Sequence, residues 1–490
     1  MNGSSYVNNI AWSLFQKFGA LGIAFICNIV LARLLMPEDF GAVAMLLIFV
    51  NISNSFIDGG FGSALIQKKE PTEDDYSTIF WWNISISVLL VVVLYLTAPC
   101  IADFYQMPIL AEILRVISFV LVINALSVIQ LNILRKTYKF KKLAIINIIA
   151  TSASSGVAII CALYGWGVWS LVVRSILMQF ITATIVWCTT QWIPKLQFCY
   201  RSFKSLGNFG GMILLSSLVE TIYTELQGLI IGKAFSARDL GFYTQAKKLE
   251  EVPTSSLSYA INQVTFPLFS SIQDKKDEIK SVVSKNVKFI SFLVFPLYSI
   301  MILVAQPLIT LIFTDRWADS IPLFQILCYV GMIYPLNTIN TNIIKSLGKG
   351  KLYLIFQFSK RLIGAVILLL CIQFGIIGLM WAMVIVSVLI LIANAVVTDR
   401  LIDYSFKHQI GDLLPPLFIS IGVLYITKLI PINDIAPILT ILAYSVVYLL
   451  LYLAIQYIVN KNELMTIISF LKNSLYAKKN RKTTQIVDKA

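Results

Sequence analysis

The chain has 490 residues, 58% hydrophobic and only 13% charged, with 39 Lys and Arg against 25 Asp and Glu and a mean hydropathy of +0.81. A water-soluble protein of this length needs a polar surface that these residues cannot supply, which excludes a soluble enzyme and a nucleic-acid-binding domain. Few segments alternate as strands do and many run for about 20 apolar residues, so the expected fold class is an all-α integral membrane protein.

Hydropathy divides the chain into about fourteen spans. The first six are 10–32, 41–65, 79–101, 113–134, 143–163 and 167–189. A second six follow at 208–232, 242–266, 288–312, 322–344, 352–373 and 376–397, then a last pair at 412–430 and 435–458. Met1 to Asn9 lacks a basic start, and the apolar stretch from Ile10 to Leu35 is too long for a signal peptide, so it reads as the first span. Cations gather after the even-numbered spans, as at Arg135, Lys136, Lys139, Lys141 and Lys142, and again in the tail. The opposite loops hold only Arg33, Lys233, Arg238, Arg316 and Lys428. That bias places both termini in the cytoplasm, so the net charge of +14 mostly records topology.

Near the end of span 1 stands Arg33-Leu34-Leu35-Met36-Pro37-Glu38-Asp39-Phe40-Gly41, and near the end of span 7 stands Lys233-Ala234-Phe235-Ser236-Ala237-Arg238-Asp239-Leu240-Gly241. A cation, an Asp six residues on, an apolar residue and Gly recur in register, both times between two apolar helices. An offset of six spans makes the two copies parallel, a pattern found in transporters with a substrate site between two repeats. The expected organisation is an N-terminal lobe at 1–206 (helices 1–6) and a C-terminal lobe at 207–400 (helices 7–12). Helices 13 and 14 follow at 401–459, then a basic cytoplasmic tail at 460–490.

Charges inside spans are costly and mark function by default. Lys17, Arg174, Lys247 and Lys248 suit an anionic substrate, because ammonium and guanidinium groups meet phosphate oxygens with charge-assisted hydrogen bonds. Asp58 and Gln227 join them as expected substrate-binding residues. Glu220, Glu225 and Glu251 are expected to couple an ion or to balance charge. Ser216, Glu220, Tyr223, Thr224 and Gln227 recur three and four apart and give helix 7 a polar face suited to a wet cavity. A plainer reading stays open, in which Lys247 and Lys248 only pair with Glu251 along one helix. Lys360 and Arg361 in span 11 are candidates for the same cavity, and the plainer reading has them reach toward the cytoplasmic surface.

No motif of nucleotide hydrolysis, acyl transfer or zinc hydrolysis occurs, so the chain reads as no enzyme, with neither cofactor nor metal. The seven scattered cysteines read as packing residues and His408 as a solvated loop residue. Asp74 and Asp75 read as acidic loop decoration, and Gly59-Gly60-Phe61-Gly62 as close helix packing or a hinge.

Several stretches are similar to a known family: Asp39-Phe40-Gly41-Ala42-Val43-Ala44, Asp58-Gly59-Gly60-Phe61-Gly62-Ser63-Ala64-Leu65-Ile66-Gln67-Lys68-Lys69 and Tyr76-Ser77-Thr78-Ile79-Phe80-Trp81-Trp82-Asn83. So are Leu240-Gly241-Phe242-Tyr243-Thr244-Gln245-Ala246 and Val264-Thr265-Phe266-Pro267-Leu268-Phe269-Ser270. Over roughly residues 8–400 the chain resembles the Wzx-like flippases of the multidrug/oligosaccharidyl-lipid/polysaccharide exporter superfamily. The resemblance implies a lipid-linked oligosaccharide moved from the cytoplasmic to the outer leaflet of a bacterial inner membrane by alternating access. It also implies basic residues near the diphosphate. Expected partners are that substrate, membrane lipids, H+ or Na+ as a coupling ion, and polymerase or export proteins, with no nucleic acid. Five residues before Gly232, relatives often carry Asp where this chain has Gln227, which leaves an acidic role at that site open. A cation/multidrug antiporter of the same superfamily is one alternative, and a membrane glycosyltransferase or polysaccharide polymerase is another. The surplus helices 13 and 14 and the embedded lysines weigh against the first, and short outer loops against the second.

Overall fold

The computed structural model describes residues 3–58, 60–431, 436–461 and 465, without the side chains of 3–11 and 13–18. The fold is all-helical, and no strand occurs among the described residues. Eleven segments are long and apolar enough to cross a membrane, and one of them, Gly350–Ile402, holds two helices divided at a short 3-10 turn. With that division, and with α1 (Gly3–Leu34) and α10 (Ala237–Ser271) added, the passes come to about fourteen, as hydropathy predicts. The protein is a multi-pass membrane protein.

By packing, the chain forms two compact units. The first comprises residues 1–245 with the short stretches 312–317 and 368–378. It contains α1, α2 (Pro37–Asp58), α3 (Phe61–Gln67), α4 (Glu73–Tyr105), α5 (Ile109–Ile117), α6 (Val120–Lys136), α7 (Phe140–Leu163), α8 (Val168–Thr190), α9 (Tyr200–Ala234) and the start of α10. Helix α1 packs on α7, α7 on α8, α8 on α6 and α6 on α4, while α2 runs along α9. Phe61, Leu65, Ile79, Phe80, Ile129 and Leu206 form a buried cluster ringed by Trp81, Trp82, Trp187 and Trp192. The indoles find acceptors: Trp187 Nε1 donates to the Leu126 carbonyl at 2.9 Å and Trp81 Nε1 to the Lys195 carbonyl at 2.8 Å. A buried aromatic with a polar edge needs such a partner, so the bonds fix ring orientation as well as depth. On α4, by contrast, Val88, Leu89, Val92 and Leu96 are exposed along one face, which only lipid can cover favourably.

The second unit comprises residues 246–311, 318–367 and 379–490. It holds the rest of α10, then α11 (Lys276–Leu303), α12 (Ala305–Phe313), α13 (Ser320–Ser346), α14 (Gly350–Leu370), α15 (Gly375–Ile402), α16 (Phe406–Lys428) and α17 (Pro437–Val459). The surplus helices α16 and α17 pack on α11. Tyr452 donates to the Phe292 carbonyl at 3.2 Å and Tyr448 to the Ser420 carbonyl at 2.9 Å. Asp412 accepts from Ser284 and Tyr404 and pairs with Lys288 at 3.4 Å. Burial and the neighbouring Asp412 carboxylate push the Tyr404 phenol up from its ordinary value, so it stays a donor.

Three predicted spans are broken rather than continuous. The second span divides into α2 and α3 at the glycine pair, where Gly60 packs against the backbone of Gly210 and a Cβ would collide with its carbonyl. Gly59 lies outside the described residues. The fourth divides at Ser118–Phe119, where the Ser118 hydroxyl bonds back to the Arg115 carbonyl at 2.9 Å and competes with the helical ladder. The ninth divides at Val304, because Pro307 lacks the N–H that would bond to Leu303 and crowds its carbonyl. Asp75 is no loop decoration. Thr72 and Asp75 form a capping box at the start of α4, and the buried Asp75 carboxylate also accepts from Lys68 at 2.6 Å. His408 likewise sits in the first turn of α16, capped by Ser405. The basic tail lies outside the described residues beyond Lys461, apart from residue 465.

Candidate functional site

The two repeat motifs start helices and meet within the first unit. The helical path is interrupted at Leu35–Met36 and Phe235–Ser236, so that α2 begins at Pro37 and α10 at Ala237. Asp39 accepts from the Met36 N–H at 3.0 Å. Asp239 accepts from the Ser236 hydroxyl at 2.6 Å while its own N–H donates to that oxygen. The Asp39 carboxylate thus takes a backbone N–H at the start of α2, the Ser236 hydroxyl caps α10, and both carboxylates lie in a first turn where the dipole favours negative charge. The glycines then cross reciprocally. Gly41 lies against the Ala237 carbonyl and Gly241 against the Pro37 carbonyl, so neither position has space for a Cβ. Glu38 and Arg238 pair across the crossing at 3.6 Å.

Trp317 fills the space beside the crossing. It is fully buried, with ring centroids 5.6 Å from Phe40, 5.9 Å from Phe242 and 5.7 Å from Phe313, and its Nε1 donates to the Ala32 carbonyl at 2.9 Å. The motif cations fasten the same end: Arg33 donates to the Ile312 carbonyl at 2.9 Å, and Lys233 to the Phe104 carbonyl. The repeat is therefore a latch in which each recurring element, cation, Asp and Gly, has a structural task.

Below the latch a polar seam joins α2 to α9. Asn51 donates to Glu225 at 2.9 Å, and the Ser55 and Thr221 hydroxyls meet at 2.8 Å. Asn54 accepts from Asn124 of α6 at 2.9 Å. Tyr243 donates to Gln227 at 2.7 Å, and Asn28 of α1 donates to Gln245 at 2.7 Å. Apart from the Glu225 carboxylate the seam is made of amides and hydroxyls, which associate helices in a membrane bundle yet can exchange their bonds for water. Sequence reasoning found Glu225 and Gln227 on the α9 side and Asp58 at the end of α2, and missed Thr221 together with Asn51, Asn54 and Ser55. Asn51, Asn54, Ser55 and Asp58 lie at steps of three, four and seven, a helical stripe that spacing alone carries.

The predicted site residues fall into separate groups. Glu225 and Gln227 belong to the seam, whereas Glu220 is exposed on another face of α9 with Ser216 and Thr224. Asp58 is solvent-accessible at the end of α2, within electrostatic reach of Arg135. Arg135 is itself bonded to Asn132 at 2.9 Å. Arg174 is half-buried on α8, within electrostatic reach of Cys27 on α1. Lys17 lies on α1, and its side chain is outside the described residues. In the second unit, Lys247 is half-buried while Lys248 and Glu251 are exposed. Lys360 does not follow the plainer reading of a side chain reaching the surface. It is 8% exposed, donates to Asn394 at 3.2 Å and lies over the Phe356 ring at 4.5 Å, and Asn394 in turn donates to Asn337 at 2.7 Å. Ten residues separate it from the start of α14, about 15 Å of helix, which is more than a lysine stem can span to reach the surface.

Residues 30–322, which include both latch motifs and all of the seam but Asn28, match the family model described as polysaccharide biosynthesis protein. The chain belongs to that family. Membership bears out the resemblance to Wzx-like exporters. Curated relatives include teichuronic acid biosynthesis protein TuaB of Bacillus subtilis, 26% identical over 74% of this chain and 76% of the relative. Succinoglycan biosynthesis transport protein ExoT of Rhizobium meliloti is 24% identical over 86% and 84% of the two chains, and lipopolysaccharide biosynthesis protein WzxC of Escherichia coli is 23% identical over 67% of each. Among solved structures, lipid II flippase MurJ in an inward closed conformation superposes with a TM-score of 0.75 at 15% identity, covering 92% of this chain and 99% of that one. An inward-facing MATE transporter of the MOP superfamily gives a TM-score of 0.60 at 16% identity, covering 81% and 98%. Both likenesses concern the fold.

Proposed function

We propose that this protein moves a polyprenyl-diphosphate-linked oligosaccharide, a precursor of cell-surface polysaccharide, from the cytoplasmic to the outer leaflet by alternating access. The observation that carries the reading is helix α10. It runs for 35 residues, yet it is not among the eleven apolar segments: Lys247, Lys248, Glu250 and Glu251 lie around Leu249, and Ser, Thr, Asn and Gln recur along the rest. A helix so charged within a membrane protein faces water or an anionic ligand, not lipid. The substrate has an anionic head, a polar glycan and an apolar tail, and the names of the relatives point to the same class of product.

In this reading Lys17, Arg174, Lys247 and Lys248 attract the diphosphate, Asp58 and Gln227 meet sugar hydroxyls, and Glu220, Glu225 and Glu251 balance the cations. The transporting lobes are residues 1–206 and 207–400, with 401–459 as an accessory pair. The protein lies in the bacterial inner membrane with both ends in the cytoplasm, as the cation bias indicates. Protein reconstituted in vesicles with a labelled polyprenyl-diphosphate saccharide is expected to transfer it between leaflets. Lys247→Ala should slow that transfer by roughly ten- to a hundredfold, the loss of about 1.5–3 kcal/mol of charge-assisted bonding, and Lys247→Arg should retain more. Transport of cationic dyes without the saccharide would overturn the reading.

A further inference from the structure

Of the four charged side chains that α10 presents in succession, one turns inward. Glu250 is 8% exposed, whereas Lys248 and Glu251 are open and Lys247 is half-buried. Its Oε1 accepts from the Thr254 hydroxyl one turn further along, and the Thr254 oxygen meets the Tyr298 hydroxyl of α11. Gly331 of α13 closes the third side: a Cβ there would collide with Glu250 Oε1 and the Tyr298 ring, so the bare glycine makes the space for the pair. The titratable groups facing the carboxyl are Tyr298 from α11, Cys328 from α13, and Lys247 and Glu251 from α10 itself. No salt bridge reaches Glu250 among the described residues.

A carboxylate enclosed between three helices without a paired cation is costly, whereas a carboxylic acid there is not. One carboxyl, one threonine hydroxyl and one phenol make a poor cage for a hard metal cation, which takes six or more oxygens. We propose that Glu250 is the proton-carrying group of the transport cycle. An O–H bond forms on Glu250 when the site opens to the outer, more acidic side, and the enclosed acid crosses neutral. The bond breaks to water when α10 exposes the carboxyl to the cytoplasm, so one proton enters per cycle.

The proposal rests on the flippase reading, and two readouts on the full-length protein in vesicles separate them. The first is leaflet transfer of the labelled lipid-linked saccharide with and without a pH gradient. A gradient of about one pH unit carries a tenfold driving force for one proton. Wild type should respond by about that factor, and Glu250→Gln, fixed in the neutral form, should not respond. The second needs no substrate: a cysteine replacing the exposed Val252, in a protein otherwise free of cysteine, is labelled across about pH 5 to about pH 9. The rate relative to Glu250→Gln protein at the same pH should change sigmoidally with pH, and Tyr298→Phe should shift its midpoint. Failure of wild type to move the saccharide would overturn the flippase reading and leave the labelling to decide the proton site. A Glu250→Gln protein that keeps the tenfold response would overturn the proposal, as would a response to a sodium gradient alone. If Glu250→Gln does not reach the membrane, an unshifted Tyr298→Phe midpoint, taken relative to Glu250→Asp protein, overturns it.

Discussion

Replacing Gly41 by Ala should unlatch one end of the first unit. The added methyl would fall on the Ala237 carbonyl. Carbon–oxygen contacts of this kind settle near 3.3 Å, so the starts of α2 and α10 must part by more than about 1 Å. A gap of that size forfeits a quarter to a half of the dispersion attraction across it, and it loosens the reciprocal Gly241–Pro37 approach and the seat of Trp317 together. Overpacking of this kind costs about 1–3 kcal/mol, which lowers the population of the closed latch by a factor of about 5 to about 150. The assay is thiol accessibility in a protein stripped of its seven cysteines and carrying Asn51→Cys. Asn51 is exposed on α2, ten residues beyond Gly41 and about 15 Å deeper along the helix. An impermeant reagent applied from the side of Glu38 should label it about tenfold faster when Gly41→Ala is added. Gly156→Ala is the control, since nothing lies within 4 Å of a Cβ there. Unchanged labelling of Asn51→Cys in abundant Gly41→Ala protein would refute the latch.

The seam predicts coupling. Asn51→Ala and Glu225→Ala should each lower the melting temperature in detergent, and the double mutant should lose less than their sum, with an interaction of about 1 kcal/mol or more. Strict additivity would mean that the two side chains do not act together. The orientation predicts that a cysteine at Phe104 is labelled from outside the cell and one at Asp277 is not. The reverse pattern would invert the topology and with it the direction of transport.

Much of the architecture was legible along the chain because its causes are local. A run of apolar residues long enough to span lipid must become a helix, since only a helix satisfies its own backbone there, and cations resist crossing. The α9 polar face was legible for the same reason, through its period of three and four. The α2 stripe of Asn51, Asn54, Ser55 and Asp58 carried the same signal, diluted by the apolar residues between them.

Tertiary structure alone decided which way each helix is turned. Glu250 and Glu251 are neighbours of one type, and only the placement of Thr254, Tyr298 and Gly331 made one of them the buried acid. Lys360 was chemically able to reach for the surface, and its depth in α14 with Asn394 beside it turned it inward. The repeat announced itself in the sequence as a register of cation, Asp and Gly. That the two glycines lie against one another's helix starts is a fact about contacts some 200 residues apart. Hydropathy and periodicity set the helices and their polar faces, residue by residue. The rotation and crossing of those helices minimise the free energy of all their neighbours at once, and no local pattern encodes that.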